Sequence, residues 1–228
     1  EVRNSWFRLV SRALGRDGWD AAIGERKRPF IWVRGMTAGG QREATMWSGD
    51  LEPTFDEMKK QIRGMLAAGI SGVPFWGHDA GGFFADKVDV ASFEVLYQQW
   101  AMAFGSVSPF WKPHGQGPSR WPADRNAASQ AAAARAIEFR YRVLPYLYSA
   151  AKEASETGMP ITRPLFLSLP DEAAAWERDL EFMFGPSILV APDPSGGNAA
   201  REVYLPDGRW YDFWSNAPLE GGVRSVFA

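Results

Sequence analysis

The chain has 228 residues, a net charge of −2, no cysteine and two histidines, His78 and His114. An apolar content of 46% suffices for a sizeable core, while a disulfide framework, a thiolate zinc site or a His-built metal centre is not expected. No Lys/Arg cluster suggests nucleic acid or an anionic membrane as partner, and no run reaches the ~20 apolar residues of a membrane span. The eleven tryptophans stand out. Most are expected in the core, and two or three against a ligand, since indole faces stack well on the C–H side of sugars.

In chain order, Trp6, Leu9, Val10, Ala13 and Leu14 recur at helical spacing. Phe30-Ile31-Trp32-Val33 reads as a buried strand that stops at Arg34-Gly35. A polar, Gly-rich stretch over 37–45 leads through Thr45-Met46-Trp47 into Ser48-Gly49-Asp50. Thr54-x-x-Glu57 is a capping box, followed by Phe55, Met58, Ile62, Met65 and Leu66 on one helical face, with Gly69 expected to close the helix. Asp56 and Glu57 suit that helix N-terminus. Residues 70–76 read as a strand ending in the loop Gly77-His78-Asp79-Ala80-Gly81-Gly82-Phe83. A helix over 91–101 carries Phe93, Leu96, Tyr97 and Trp100, and a short apolar stretch then runs to Phe110-Trp111 and Lys112-Pro113-His114-Gly115. A long helix over 126–156 follows, with a kink expected at Pro145 and Gly158 beyond its end.

Strand, loop and helix repeated four times predict a parallel α/β structure, which in an eight-stranded barrel places functional groups on loops after the strand C-termini. Four units make half of such a barrel. From residue 159 the texture changes. Residues 160–167 and 187–191 read as strands, residues 170–178 as the one candidate helix, and 202–205 and 210–214 flank an expected turn at Pro206-Asp207-Gly208-Arg209. The expected domains are therefore 1–158, half a (β/α)8 barrel, and 159–228, part of an all-β domain. The chain begins at Glu1 within a few residues of a helical pattern, so a piece of a larger protein is expected.

Asp50 and Asp79 both fall where a strand gives way to a loop, with aromatic and cationic side chains beside them. A sugar-cleaving site needs those parts: a proton donor, aromatic faces for a pyranose ring and fixed donors for hydroxyls. The loop 77–82 lacks the Gly-Lys-Ser/Thr of a phosphate loop and the dinucleotide spacing. Taken alone, Asp50 could equally be a turn or capping residue, Asp79 an Asx-turn, His114 a loop-orienting group and Arg34 a structural ion-pair partner.

Six segments taken together resemble glycoside hydrolase family 31, which contains α-glucosidases and α-xylosidases. They are Trp47-Ser48-Gly49-Asp50, Gly72 to Phe83, Phe110-Trp111-Lys112-Pro113-His114, Arg140 to Tyr148, Arg163-Pro164-Leu165-Phe166 and Trp210-Tyr211-Asp212-Phe213-Trp214. The resemblance runs over nearly the whole chain in the family's order, and it implies the second half of the catalytic barrel running into the proximal C-terminal β-domain. It implies Asp50 as general acid/base, Arg34 and His114 as binders of sugar hydroxyls, and Trp47 and Phe83 as aromatics shaping the subsite. Asp79 matches an aspartate of the same pocket. An oligosaccharide or glycoside is the implied substrate, and no cofactor is implied. The family's nucleophile lies in a Trp-x-Asp-Met-x-Glu-like motif that does not occur in this chain, so the chain by itself is expected to be inactive. His78, Lys112, Gly35 and Met36 depart from the family's usual residues, which leaves the glycone open. A lyase or transglycosylase of the same family, or a carbohydrate-binding protein on a degenerate barrel, are the alternatives.

Overall fold

A computed structural model describes residues 2–24, 29–196 and 200–226. Helix α1 (Val2–Arg12) continues through wide turns at Ala13–Trp19 into the short α2 (Asp20–Ile23). Four strands follow: β1 (Trp32–Val33), β2 (Thr45–Trp47), β3 (Trp76–Asp79) and β4 (Phe110–Lys112). They form one sheet in the order β1-β2-β3-β4, every pair parallel. Helix α3 (Phe55–Ile70) crosses between β2 and β3, and α4 (Val90–Leu96) between β3 and β4, running on as a wide-turned segment to Phe104. Both helix starts are capped: the Thr54 hydroxyl accepts from the Glu57 N–H at 3.1 Å, and the Asp89 carboxylate from the Ser92 N–H at 3.0 Å.

Helix α3 continues one residue beyond Gly69, and the strand expected at 70–76 is displaced to Trp76–Asp79. Gly72, at φ 83°, follows the helix end, where the N–H groups of Ser71, Gly72 and Val73 satisfy its last carbonyls. The pairing instead extends through Gly77, where a Cβ would stand 2.9 Å from the Phe110 carbonyl oxygen. Asp79 is thereby the last residue of β3 and not a loop residue.

The long helix is two: α5 (Ala127–Arg142) and α6 (Leu144–Thr157) meet at Val143, two residues ahead of Pro145, and Gly158 ends α6 in the left-handed region. Arg140 donates to the carbonyls of Ser106, Ser108 and Pro109 at 2.9, 2.7 and 3.0 Å, tying α5 to the segment that enters β4. Beyond α6, β5 (Thr162–Pro164) leads into α7 (Leu165–Ser168) and α8 (Ala173–Trp176), the latter shorter than the helix expected there. Strands β6 (Phe182–Phe184) and β7 (Ile188–Val190) complete an antiparallel sheet with β5. A hairpin of β8 (Arg201–Tyr211) and β9 (Pro218–Val226) follows.

The turn expected at 206–209 lies inside β8 as a bulge: the register steps from Leu205 opposite Gly222 to Arg209 opposite Glu220. Pro206 lacks a ladder donor and Gly208 sits at φ 142°, so these residues suit a break in pairing as well as they suit a turn. The reversal falls at 212–217, where the Asp212 carboxylate accepts from the Trp214 and Ser215 N–H groups.

One apolar cluster holds the sheet, the helices and the first antiparallel strands together. Met58, Ile62, Phe93, Tyr97, Trp100 and Phe104 are fully or almost fully buried in the same cluster as Ile161, Phe182 and Phe184. Substituting Phe184 by Ala is expected to cost about 3–5 kcal/mol, read as a lowered denaturation midpoint; a change within 1 kcal/mol would contradict its place in this shared cluster.

His78 lies on the helix side of β3, fully buried between Trp76, Phe104 and Trp100, with ring centroids 5.7, 4.7 and 6.0 Å away. Neither ring nitrogen has a partner among the described residues. Burial pushes its pKa down from 6.5 to about 3. Between those values the unfolded chain binds the extra proton, so stability rises with pH through this window and is lost as pH falls from 6.5 towards 3. At pH 5 the loss is roughly 2 kcal/mol. The adjacent Asp79 carboxyl, pushed up by burial, acts with the opposite sign in both proteins being compared. A His78→Leu variant should therefore unfold with a flatter acid dependence than the parent; parallel pH profiles would refute the neutral buried imidazole.

Candidate active site

The parallel register brings four strand ends to one edge. Val33 pairs with Met46, Trp47 with Gly77, and Asp79 with Lys112. Arg34, Asp50, Asp79 and His114 therefore leave the sheet on the same side, at the carboxyl ends of the strands, where α/β sheets carry their chemistry.

Arg34 and Asp50 meet directly: Arg34 Nη2 donates to Asp50 Oδ1 at 2.7 Å. The chain reaches Asp50 through Gly49 at φ 88°, a position where a Cβ would press on the Arg34 side chain at 3.4 Å. The Arg34 guanidinium also lies 5.3 Å from the Trp47 ring. With 61% and 30% of their side chains exposed, the two groups form an ion pair that is cheap to break. The structure surrounds Asp50 with a guanidinium, the nearby Trp47 indole and partial contact with solvent.

Asp79 is placed differently. It is fully buried, and its Oδ1 lies 2.7 Å from Lys112 Nζ. Burial pushes its carboxyl up, opposed by Lys112 and His114, while Asp50 adds to the rise. Lys112 stands over Trp32 at 4.4 Å and Trp47 at 4.6 Å, and those two indoles meet edge to face at 5.3 Å. Asp79 thus anchors a cation that fixes the aromatic wall beside Asp50. The Trp47 indole N–H and the Ser48 hydroxyl are buried without partners among the described residues.

Phe83 and His114 form a second group, with rings 5.5 Å apart and tilted at 46°. Both loops are fastened by backbone bonds: the N–H groups of Phe83 and Phe84 donate to the Leu51 carbonyl, one residue beyond Asp50, and Gln116 N–H donates to the Phe83 carbonyl. Gly82, at φ 80°, packs where a Cβ would sit 2.4 Å from Pro53 Cα. Arg120 locks the arrangement. Its Nη1 donates to the carbonyls of Gln116 and Pro118 and its Nη2 to that of Gly82, at 2.6–2.7 Å, over the Phe93 ring. Burial pushes its pKa down to about 10. Nothing in the sequence separates Arg120 from other arginines, because its acceptors are backbone carbonyls that carry no residue signature. Lys112 was visible only as an unusual residue beside His114, and Trp32 only as part of a strand.

Among the described residues no three or more His, Asp or Glu side chains gather as a metal site, and no helix is long and apolar enough to cross a membrane. The arrangement offers one exposed carboxyl group paired with a guanidinium, an aromatic wall and the His114 ring. These are the parts for protonating a glycosidic oxygen while holding a sugar.

The glycosyl hydrolases family 31 TIM-barrel domain model matches residues 1–150, and the family 31 C-terminal domain model matches residues 158–227. An α-glucosidase of Saccharolobus solfataricus is 37% identical over 86% of the chain, and an α-xylosidase of the same organism is 35% identical over 86%. The chain spans 28% and 27% of the lengths of these two relatives. A solved structure of the Flavobacterium johnsoniae family 31 dextranase complexed with glucose superposes with a TM-score of 0.92 at 30% identity, covering all of this chain and 29% of the dextranase. The fold is part of the family 31 barrel followed by the C-terminal domain. The chain belongs to glycoside hydrolase family 31.

Proposed function

We propose that this chain supplies the acid/base side of a retaining α-glycoside hydrolase site acting on O-linked α-glucosides or related α-glycosides, divided near residue 158 into barrel and β-domain parts. The observation that carries the reading is Asp50 at a strand end, 2.7 Å from Arg34, beside the Trp47 indole. Arg34 presents a planar fork able to bridge neighbouring hydroxyls. Trp47 and Phe83 supply ring faces, and His114 a ring nitrogen for a hydroxyl. Asp79 contributes by holding Lys112 in place.

In the mechanism, a carboxylate from a segment carrying the nucleophile motif attacks the anomeric carbon. Asp50 gives its proton to the departing glycosidic oxygen as the C–O bond breaks. A water then attacks the glycosyl-enzyme and loses its proton to Asp50, which restores both carboxyl groups. The two groups must stand roughly 5–5.5 Å apart for this retaining course. Glucose and xylose, the sugars of the two named relatives, are the glycones to test first.

In the protein that joins this chain to the nucleophile segment, Asp50→Asn should lower kcat/KM on an unactivated α-glycoside by about 10²–10⁴-fold. The loss should be smaller on a dinitrophenyl glycoside, whose leaving group needs no proton. Steady-state rates on the two substrates decide it: parental turnover of the unactivated glycoside would end the assignment.

A further inference from the structure

A closed ring of hydrogen bonds ties the loop after β3 to the loop after β4. Arg120 Nη2 donates to the Gly82 carbonyl at 2.6 Å and Arg120 Nη1 to the Gln116 carbonyl at 2.7 Å, while the Gln116 N–H donates to the Phe83 carbonyl at 2.7 Å. Gly82 and Phe83 are neighbours in the chain, which closes the ring. On the basis of the roles proposed above for Phe83 and His114, we infer that Arg120 and Gly115 are positioning residues of the glycosidase. They hold the Phe83–His114 pair against the Asp50 loop and act on the reaction only through that pair.

Arg120 is the one side chain in the ring; the other members are backbone groups. A third bond runs from its Nη1 to the Pro118 carbonyl at 2.6 Å, and the guanidinium lies 4.6 Å from the ring of the fully buried Phe93 in α4. Bonds from an ionised donor are stronger than neutral ones. A planar fork can serve carbonyls on two loops at once, where a lysine presents a single nitrogen. The backbone of Phe83 is fully engaged. Its N–H donates to the Leu51 carbonyl at 2.8 Å, its carbonyl takes the Gln116 N–H, and the carbonyl ahead of it takes Arg120. Since Leu51 follows Asp50, the clamp reaches the Asp50 loop through main-chain bonds.

Gly115 follows His114 and packs against the ring. A Cβ there would stand 2.5 Å from Arg120 Nη2, 2.7 Å from the Gly82 carbonyl oxygen and 2.8 Å from that of Phe83. The guanidinium could swing aside, but the two carbonyls belong to the backbone, so a methyl group would part the loops. Gly115 is not at positive φ, so space alone excludes a side chain. Parting the loops alters the 5.5 Å separation of the Phe83 and His114 rings. A displacement of about 1 Å at a positioned group can cost roughly 10²-fold in rate.

The test uses the protein that joins this chain to the nucleophile segment and measures kcat/KM on the dinitrophenyl α-glycoside, whose departure needs no proton from Asp50. Thermal midpoints establish that each variant is folded at the assay temperature. Arg120→Met and, separately, Gly115→Ala, which removes no hydrogen-bonding group, should each lower kcat/KM about ten- to hundredfold. Arg120→Lys keeps the charge without the fork and should lie close to Arg120→Met. In a protein already carrying Phe83→Ala and His114→Ala, Arg120→Met should cost no more than about threefold further, because its route to the substrate is gone. A residue that only supports the fold would subtract the same factor in both backgrounds. A parental rate in any of the three single variants, or an undiminished Arg120→Met loss in the doubly substituted protein, would overturn the inference. Failure of the acid/base reading shows separately, as an Asp50→Asn protein with parental turnover of the unactivated glycoside.

Discussion

The site depends on how closely β3 and β4 approach at Gly77. A side chain there would press into the Phe110 carbonyl, and the parallel ladder that sets Asp79 opposite Lys112 would be pushed apart. Because side chains alternate along a strand, this one register also sorts the neighbours of Gly77. Asp79 is directed to Lys112 and the indole wall, while His78 goes to the helix side among Trp76, Trp100 and Phe104. A slip of one residue would place an imidazole in the site and a carboxylate in the apolar layer.

Two cation–carboxylate pairs of nearly identical length occupy adjacent strand ends, and burial separates their roles. The Asp79–Lys112 pair is enclosed, so taking either member away strands the other in a poorly hydrated place; its role is to hold geometry. The Arg34–Asp50 pair meets solvent, where such contacts contribute little, and its members can exchange partners at small cost. An enclosed pair beside a labile one fits the acid/base role proposed for Asp50, which needs a change of protonation state in a site that keeps its geometry.

Much of the fold was legible because its signals are local: the capping box at Thr54, the helical faces of Met58 to Leu66 and Phe93 to Trp100, and four apolar runs each stopping at a polar loop. Two of the errors share one cause. Gly and Pro mark a break without saying which kind, so Gly72 and Pro74 delayed β3, while Pro206 and Gly208 made a bulge and not a reversal. Family resemblance made Asp50, Arg34 and Trp47 readable as a group, and their proximity bears on that grouping. The parts that pairing creates were not readable. Lys112 works through Asp79 on the neighbouring strand, and Arg120 grips carbonyls up to 38 positions away.

Gly69, in the last turn of α3, carries the structure's least conspicuous connection. A methyl group there would stand 3.0 Å from the Pro160 ring and 3.2 Å from the Thr162 carbonyl, so the helix and the first antiparallel strand touch backbone to backbone. The other end of the same helix begins five residues after Asp50. Helix α3 is thus a stiff rod with the Asp50 loop at its head and the β-part seated at its foot. A chimera that borrows its C-terminal module from a relative inherits this joint as well, and a mismatch of a few tenths of an ångström at Pro160 would be felt along the rod at the Asp50 loop.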